Sequence, residues 1–348
     1  THTGGWVGDF FNATGWGDDA LALNVRKLVG AKQLTKLGSV WHYSNSGFYL
    51  AGRVLEKVFK KPYEDAISEL LFVPLGMNES FLFPTDVMLR RFAVGHITEG
   101  KRNTVAATFR GSRGGAPAGA IVSSAADQLK WGAFHMGDGR APNGKRLLKK
   151  STLEYMRKPQ FHVGSMTEDV GISWLLNTVG GLKTARHGGT TIGFLSAFVM
   201  VPEKNFAVTV LTNSTSGRML HASVVGWAFE KYLGVGPAEE SPIKVDSNGL
   251  AEYGGHYQSQ SNKEVVVDAV VGRAVTLRFP TSIDPPRSTP MPIRFHAPDK
   301  FVVISGPYKG THSDFLRSGS GKIRWLRFGG RLYRRISKTA GKAATRKR

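Results

Sequence analysis

Cysteine is absent from the 348 residues. That excludes disulfide frameworks, thiol nucleophiles and cysteine-bound zinc, and leaves the redox compartment open. No run approaches the roughly 18 uncharged apolar residues of a membrane-spanning helix, so no such helix is expected. Acidic residues are scarce: 26 Asp and Glu face 47 Lys and Arg, for a net charge of +21. Such an excess attracts polyanions, whether nucleic acid, anionic membrane surfaces or acidic cell-wall polymers. The cations are spread along the chain and thicken only in "RLYRRISKTAGKAATRKR". No RNA-binding signature, zinc finger or helix-turn-helix accompanies them, so no specific nucleic-acid partner is expected. The ten histidines show no ligand spacing, and neither metal nor cofactor is expected. "GRAPNGKR" at 139–146 has Arg146 where a phosphate loop needs Ser or Thr, and no G-x-S-x-G nucleophile elbow exists.

What is present is material for sizeable cores. Hydrophobic residues make up 41% and charged residues 21%, and the length suggests about two domains. Residues 44–60 read as a helix capped by Ser44 or Asn45, with Phe48, Ala51, Val54, Leu55 and Val58 spaced for one buried face. "KPYEDAISELLFVPLGM" reads as a second helix, with Pro62 in its first turn and Gly76 as its stop. Ser124 and Asp127 have capping-box spacing, as do Ser151 and Glu154 ahead of a short helix at 152–158. "GISWLLNTV", "LKTARHGGTTIGFLSAFVMVP" and "NFAVTVLTN" read as three strands of an antiparallel meander, after which "SGRMLHASVVGWAFEKYLG" returns to helical spacing. A stretch rich in Pro, Gly, Ser and charge follows, and beyond it the chain is nearly all strand, with a Gly-Gly pair placed for a two-residue hairpin in "RWLRFGGRLYRR". The expected organisation is a first domain at 1–236, a linker at 237–250, a small antiparallel β-barrel at 251–337, and a basic disordered tail at 338–348.

Two short stretches carry candidate chemistry. Tyr43-Ser44-Asn45 places a phenol, a hydroxyl and an amide at the mouth of a helix, where a cap needs only one short polar group. In "RHGGTTIGF", His187 precedes two glycines that would let a ligand approach a strand backbone. Taken singly, the first reads equally as a cap beside a core tyrosine, the second as a bulge with a satisfied histidine.

In order, these stretches are similar to something specific. "LGSVWHYSNSGFYLAGRVLEKVFKKPYEDAISELLFVPLGMNESFLF", "GAPAGAIVSSAADQLKW" and "HGGTTIGF" resemble the β-lactamase-related serine hydrolases, which include class C β-lactamases, D,D-peptidases, D-aminopeptidases and β-lactamase-like esterases. The region after the linker resembles the lipocalin-like barrel that some members carry. The resemblance implies an α+β fold, an antiparallel sheet with a helical subdomain as in penicillin-binding proteins, followed by the barrel. It implies cleavage of amide or ester bonds through an acyl-enzyme, with Tyr43 as acid/base and Asn45 holding the substrate carbonyl. His187 stands where many relatives have lysine, to supply positive charge or a hydrogen bond near the tyrosine. Gly188, Gly189 and Thr190 would line the substrate, Thr190 lending a backbone N–H to the oxyanion hole. The His-Gly-Gly motif and the appended barrel favour an esterase or peptidase over a dedicated β-lactamase, with a small molecule or peptide in the cleft; export to a periplasm or the medium is implied by the family alone. The oligomeric state stays open.

The family nucleophile is the serine of a Ser-x-x-Lys motif, and "THTGG" resembles a stretch that lies downstream of it. The one Ser-x-x-Lys here, Ser241 to Lys244, falls in the expected linker with a proline after the serine, where a helical turn is not expected. These 348 residues are therefore expected to be inactive by the family mechanism and to lack the first strands of the sheet. A catalytically dead module that binds peptide or cell-wall polymer is the alternative, and a polyanion-binding protein is a third.

Overall fold

The computed structural model describes residues 1–9, 12–99, 102–108, 112–236, 243, 247–259, 263–269, 274–280 and 289–337. The chain divides into two units, Thr1–Val163 with Thr167–Ala238, and Gly164–Met166 with Glu239–Arg348. Most of the residues expected to form the linker, Ser241 and Lys244 among them, and the expected tail at 338–348 lie outside the described residues.

β-Branched and aromatic residues dominate 194–212, and there the first unit builds its sheet. Six antiparallel strands lie in the order Phe206–Thr212, Phe194–Val201, Leu182–Thr191, Leu175–Val179, Asp169–Val170 and Phe161–His162. Every spatial neighbour is a sequence neighbour, as a meander requires. The stretch expected as one strand over 182–202 is two, because the chain reverses at Ile192–Gly193 and Thr191 pairs directly with Phe194. Gly193 holds φ 77°, and a Cβ there would stand 2.8 Å from the Gly95 backbone, so this reversal needs glycine.

Alternation along Phe194–Val201 sends its side chains to opposite faces. Phe198 and Met200 join Trp174, Leu176 and Ala185 beneath the helix Ala125–Met136, whose Gly132 lies so close that a Cβ would be 2.9 Å from the Phe198 ring. Val199 and Val201 pack against Phe229 of the helix Arg218–Leu233.

The helical part departs from the sequence expectation in one instructive place. The helix Ser46–Phe59 buries Ser46, Tyr49, Gly52 and Glu56, while Val54 and Val58 are 53% and 65% exposed and Ala51 is also exposed. Close approach decides the face: a Cβ on Gly52 would lie 2.3 Å from Pro117 Cγ, so the helix turns its smallest residue to the neighbouring 3₁₀ helix Arg113–Ala118. Glu56 can be buried because it accepts from the Tyr63 N–H and pairs with Arg53. The second helix stops as expected, but Pro62 stands just before its first turn and not in it. Pro62 precedes Tyr63–Ile67, and Gly76 at φ 64° closes Val73–Leu75. Between them Ser68–Phe72 is wound as a π-helix, just ahead of Pro74, which has no N–H to give. The Ser124 hydroxyl accepts from the Asp127 N–H at 3.2 Å, as its spacing predicts. The Ser151–Glu154 box does not form, because that helix already begins at Lys150 and has no side-chain cap.

The second unit is a closed barrel of eight antiparallel strands running from Gly255–Gln258 to Arg331–Ile336, shut by pairing of the first with the last. Gly329 and Gly330 hold φ 54° and 77° in its final hairpin, the two positive values a tight two-residue turn demands. Among the described residues, Tyr257, Leu277, Met291, Phe301, Phe315 and Leu326 pack together as the barrel's core. The helix-and-sheet unit followed by this barrel is the α+β architecture expected from the sequence.

Candidate active site

Tyr43 leads into the helix Ser46–Phe59, and His187 stands in the middle of the strand Leu182–Thr191. The fold brings them together across 144 residues, with Tyr43 Oη 3.4 Å from His187 Nε2. His187 Nδ1 lies 2.7 Å from the Gly188 carbonyl oxygen. A carbonyl can only accept, so Nδ1 carries the proton, Nε2 is left as the acceptor, and the Tyr43 hydroxyl donates to it. Burial holds the His187 pKa below its usual 6.5; the Gly188 carbonyl partly opposes this and the Arg186 charge adds to it. At neutral pH the imidazole is thus uncharged. Of the two services expected of His187, the hydrogen bond is the one this geometry supports.

The three polar groups before the helix divide their work. Ser44 Oγ accepts from the Gly47 N–H at 3.3 Å and bonds Ser46 Oγ at 2.9 Å, so serine is the cap. Asn45 makes no capping bond with its side chain; its Nδ2 donates to Asp9 Oδ1 at 2.7 Å. That frees Tyr43 to face His187, and it answers why a phenol and an amide sit where one hydroxyl would do.

The segment Thr1–Asp9 is laced over this corner. His2, held at φ 57°, stacks on Tyr43 with ring centroids 4.1 Å apart and 23° between planes. Its Nδ1 accepts from the Ser44 N–H at 3.0 Å, and its carbonyl takes the His42 N–H at 2.9 Å. Gly8 passes so close that a Cβ would lie 2.6 Å from the Tyr43 carbonyl oxygen. Trp6 Nε1 donates to Ser46 Oγ at 2.9 Å. Asp9 also helps push the buried Tyr49 phenol up to about 12, burial being the larger cause. Sequence reasoning missed both His2 and Asp9: "THTGG" marked the neighbourhood of the first, and nothing marked the second.

Gly188, Gly189 and Thr190 are exposed and pair with Ala197, Ser196 and Leu195 in an unbroken ladder, so there is no bulge. A Cβ on Gly189 would meet Ser196 Oγ at 2.7 Å. The pairing partner therefore accounts for at least one of the glycines expected to admit a ligand.

A family model described as Beta-lactamase matches residues 1–224. The chain belongs to the β-lactamase family. It is 28% identical over 258 residues to penicillin-binding protein 4 of Amycolatopsis lactamdurans, covering 70% of this chain and 68% of that protein. It is 26% identical over 200 residues to β-lactamase-like protein 4 of Dictyostelium discoideum, where the match covers 53% of this chain and only 34% of the relative. Among solved structures, SurE is similar with a TM-score of 0.73 at 23% identity, over 96% of this chain and 77% of SurE. The octameric penicillin-binding protein homologue of Pyrococcus abyssi is similar with a TM-score of 0.59 at 21% identity, over 96% of this chain and 76% of that one. These two likenesses extend through the barrel and establish the fold.

Proposed function

We propose that this chain carries the acid/base and carbonyl-holding half of a serine hydrolase site that opens amide or ester bonds through an acyl-enzyme. The observation that carries the proposal is the 3.4 Å approach of Tyr43 Oη to His187 Nε2, with the Asn45 amide two residues away at the helix entrance. In this reading Tyr43 passes a proton between the attacking serine and the leaving group. The neutral His187 accepts from the phenol and keeps it aimed, which an unperturbed tyrosine with pKa near ~10 cannot arrange for itself. Asn45 hydrogen-bonds the substrate's amide or ester carbonyl, and the backbone at Thr190 supports the oxyanion. The attacking hydroxyl is assigned to a Ser-x-x-Lys pair other than Ser241–Lys244.

Burst kinetics with p-nitrophenyl acetate test the proposal. In a form that carries such a Ser-x-x-Lys pair together with these residues, Tyr43→Phe is expected to lower kcat by about 10²–10⁴ while KM changes little. Equal kcat in the variant removes Tyr43 from its role. The 348 residues alone are expected to give no burst, and a serine of this chain becoming acylated overturns the assignment of the nucleophile.

A further inference from the structure

Three arginines of the barrel are matched to carboxylates. Arg278 pairs with Asp268, Arg327 with Asp314, and Arg317 with both Glu252 and Asp299. One end of the barrel is assembled differently. A tight turn joins the strands His312–Arg317 and Ile323–Phe328. There the Ser318 N–H donates to the Lys322 carbonyl at 2.8 Å, and Arg317 Nη1 to the Gly321 carbonyl at 2.8 Å. Lys322 leaves this turn exposed. Farther along the strand, Arg324 folds its guanidinium over the Trp325 ring, 5.6 Å from the centroid. Trp325 pairs with Arg334 of the neighbouring strand, so Arg334 stands beside the same indole. A hollow of about 420 Å³ is lined by these three cations, by Arg335 and by Ser318, Ser320 and Ser337. No Asp or Glu borders it among the described residues. Lys322, Arg324 and Arg334 are exposed and form no ion pair among the described residues. The Ser337 hydroxyl likewise meets no partner there. Arg335 is already engaged, donating to the carbonyl oxygens of Glu252 and Gly254 at 3.0 and 2.6 Å.

We propose that this hollow binds a phosphate group carrying two or more negative charges, a phosphomonoester or a pyrophosphate. Charge sets the sign of the ligand. Cations gathered without a carboxylate repel one another, and a bound anion relieves that repulsion. The single charge of a phosphodiester or a carboxylate leaves most of it in place. The donors set the class. Two guanidinium forks, an ammonium and a free hydroxyl offer more N–H and O–H groups than the two oxygens of a carboxylate can use. A terminal phosphate presents three strong acceptor oxygens, two of which one guanidinium can grip at once. The stacking of Arg324 on Trp325 fixes the plane of one fork before the ligand arrives. The Ser318 hydroxyl serves the turn instead, bonding the Lys322 carbonyl at 3.1 Å and the Ser320 hydroxyl at 2.9 Å.

Calorimetry of the whole chain with inorganic pyrophosphate, at fixed ionic strength, is the test. The double variant Arg324→Gln, Arg334→Gln is compared with Lys57→Gln, Lys145→Gln, which removes the same charge from exposed positions of the first unit. Attraction by the overall charge of +21 is thereby matched between the two. The arginine pair is expected to weaken pyrophosphate binding at least about 10-fold and the lysine pair less than about 2-fold. Equal weakening in both pairs overturns the proposal, since overall charge then accounts for the binding. No binding to the unaltered chain overturns it too. Co-sedimentation with phosphatidylglycerol vesicles separates a soluble ligand from a lipid surface. Vesicle binding that needs the two arginines, with no pyrophosphate binding, overturns the proposal in favour of a membrane. Should the arginine pair lower the melting temperature, Lys322→Gln serves as the second variant. It is expected to weaken pyrophosphate binding at least about 3-fold, and an unchanged affinity overturns the proposal.

Discussion

His135 offers the most quantitative check on the fold. It is 0% exposed on the helix Ala125–Met136, and neither ring nitrogen meets a hydrogen-bond partner among the described residues. Trp131 and Trp174 stand edge-on at 4.3 and 5.1 Å, Phe134 borders it, and the Arg157 guanidinium donates to its backbone carbonyl. Burial, with the Arg157 charge second, drops its pKa from 6.5 to about 4. In the unfolded chain the ring takes a proton near pH 6.5; in the fold it refuses one until about pH 4. Between those values the unfolded state binds more protons, so stability is complete above about pH 6.5 and is lost as pH falls towards 4. At about 1.4 kcal/mol per pH unit the whole loss is about 3 kcal/mol, of which about 2 kcal/mol has accrued by pH 5. Urea unfolding followed by tryptophan fluorescence, at pH 7.5 and pH 5, measures it. His135→Leu is expected to remove about 2 kcal/mol of the difference between the two pH values, the other titrating groups cancelling in the comparison. An unchanged pH dependence in the variant refutes the assignment of a neutral, unsatisfied histidine to this box.

Two further outcomes follow from close packing and from a buried charge. Gly52→Ala puts a methyl 2.3 Å from Pro117 Cγ, against a ring that cannot swing aside, and is expected to cost about 1–3 kcal/mol in urea unfolding, where a surface Gly→Ala in a helix would stabilise. In the barrel, Asp314 and Arg327 meet through two bonds of 2.8 and 2.6 Å with side chains only 6% and 4% exposed. Asp314→Ala removes the carboxylate that accepts both of these bonds and is expected to cost about 3–5 kcal/mol, whereas replacing both partners by apolar residues of similar volume is expected to restore most of that, read from the melting temperature of the barrel transition.

How much of this was legible depends on what each signal measures. Turn chemistry read well, since Gly76 and the Gly329-Gly330 pair occupy left-handed φ that few other residues tolerate. Periodicity read well where one face is simply apolar, as in the barrel, and poorly where contact distance rules. Along Ser46–Phe59 the regular spacing of Val54 and Val58 points to solvent, because Gly52 and Pro117 set which side can come close, and a glycine leaves no mark on a hydrophobic pattern. Strand boundaries failed at Ile192–Gly193, where an apolar residue in a tight turn leaves the run unbroken to the eye. The Ser151–Glu154 spacing was present without its consequence, since a helix that starts two residues earlier has no use for that cap.

The candidate site illustrates a deeper limit. Tyr43, Asn45 and His187 could be picked out because their residue types are surplus to local needs: a cap needs no phenol, and a strand needs no histidine before glycines. What could not be read was polarity. A histidine in place of a lysine suggests positive charge, yet Nδ1 is committed to the adjacent Gly188 carbonyl and burial opposes a second proton, so the ring faces Tyr43 as an acceptor. The consequence reaches the chemistry. A cation beside the phenol would favour phenolate, a base ready before substrate arrives; a neutral acceptor leaves the phenol protonated and poised to donate. In the serine hydrolase we propose, the serine proton would then reach Tyr43 only as Tyr43 passes its own to His187, or would be taken by a separate base such as the lysine of Ser-x-x-Lys. On that proposal, the direction of the 3.4 Å hydrogen bond, set by one backbone carbonyl, makes Tyr43 a donor at the outset and not a ready base.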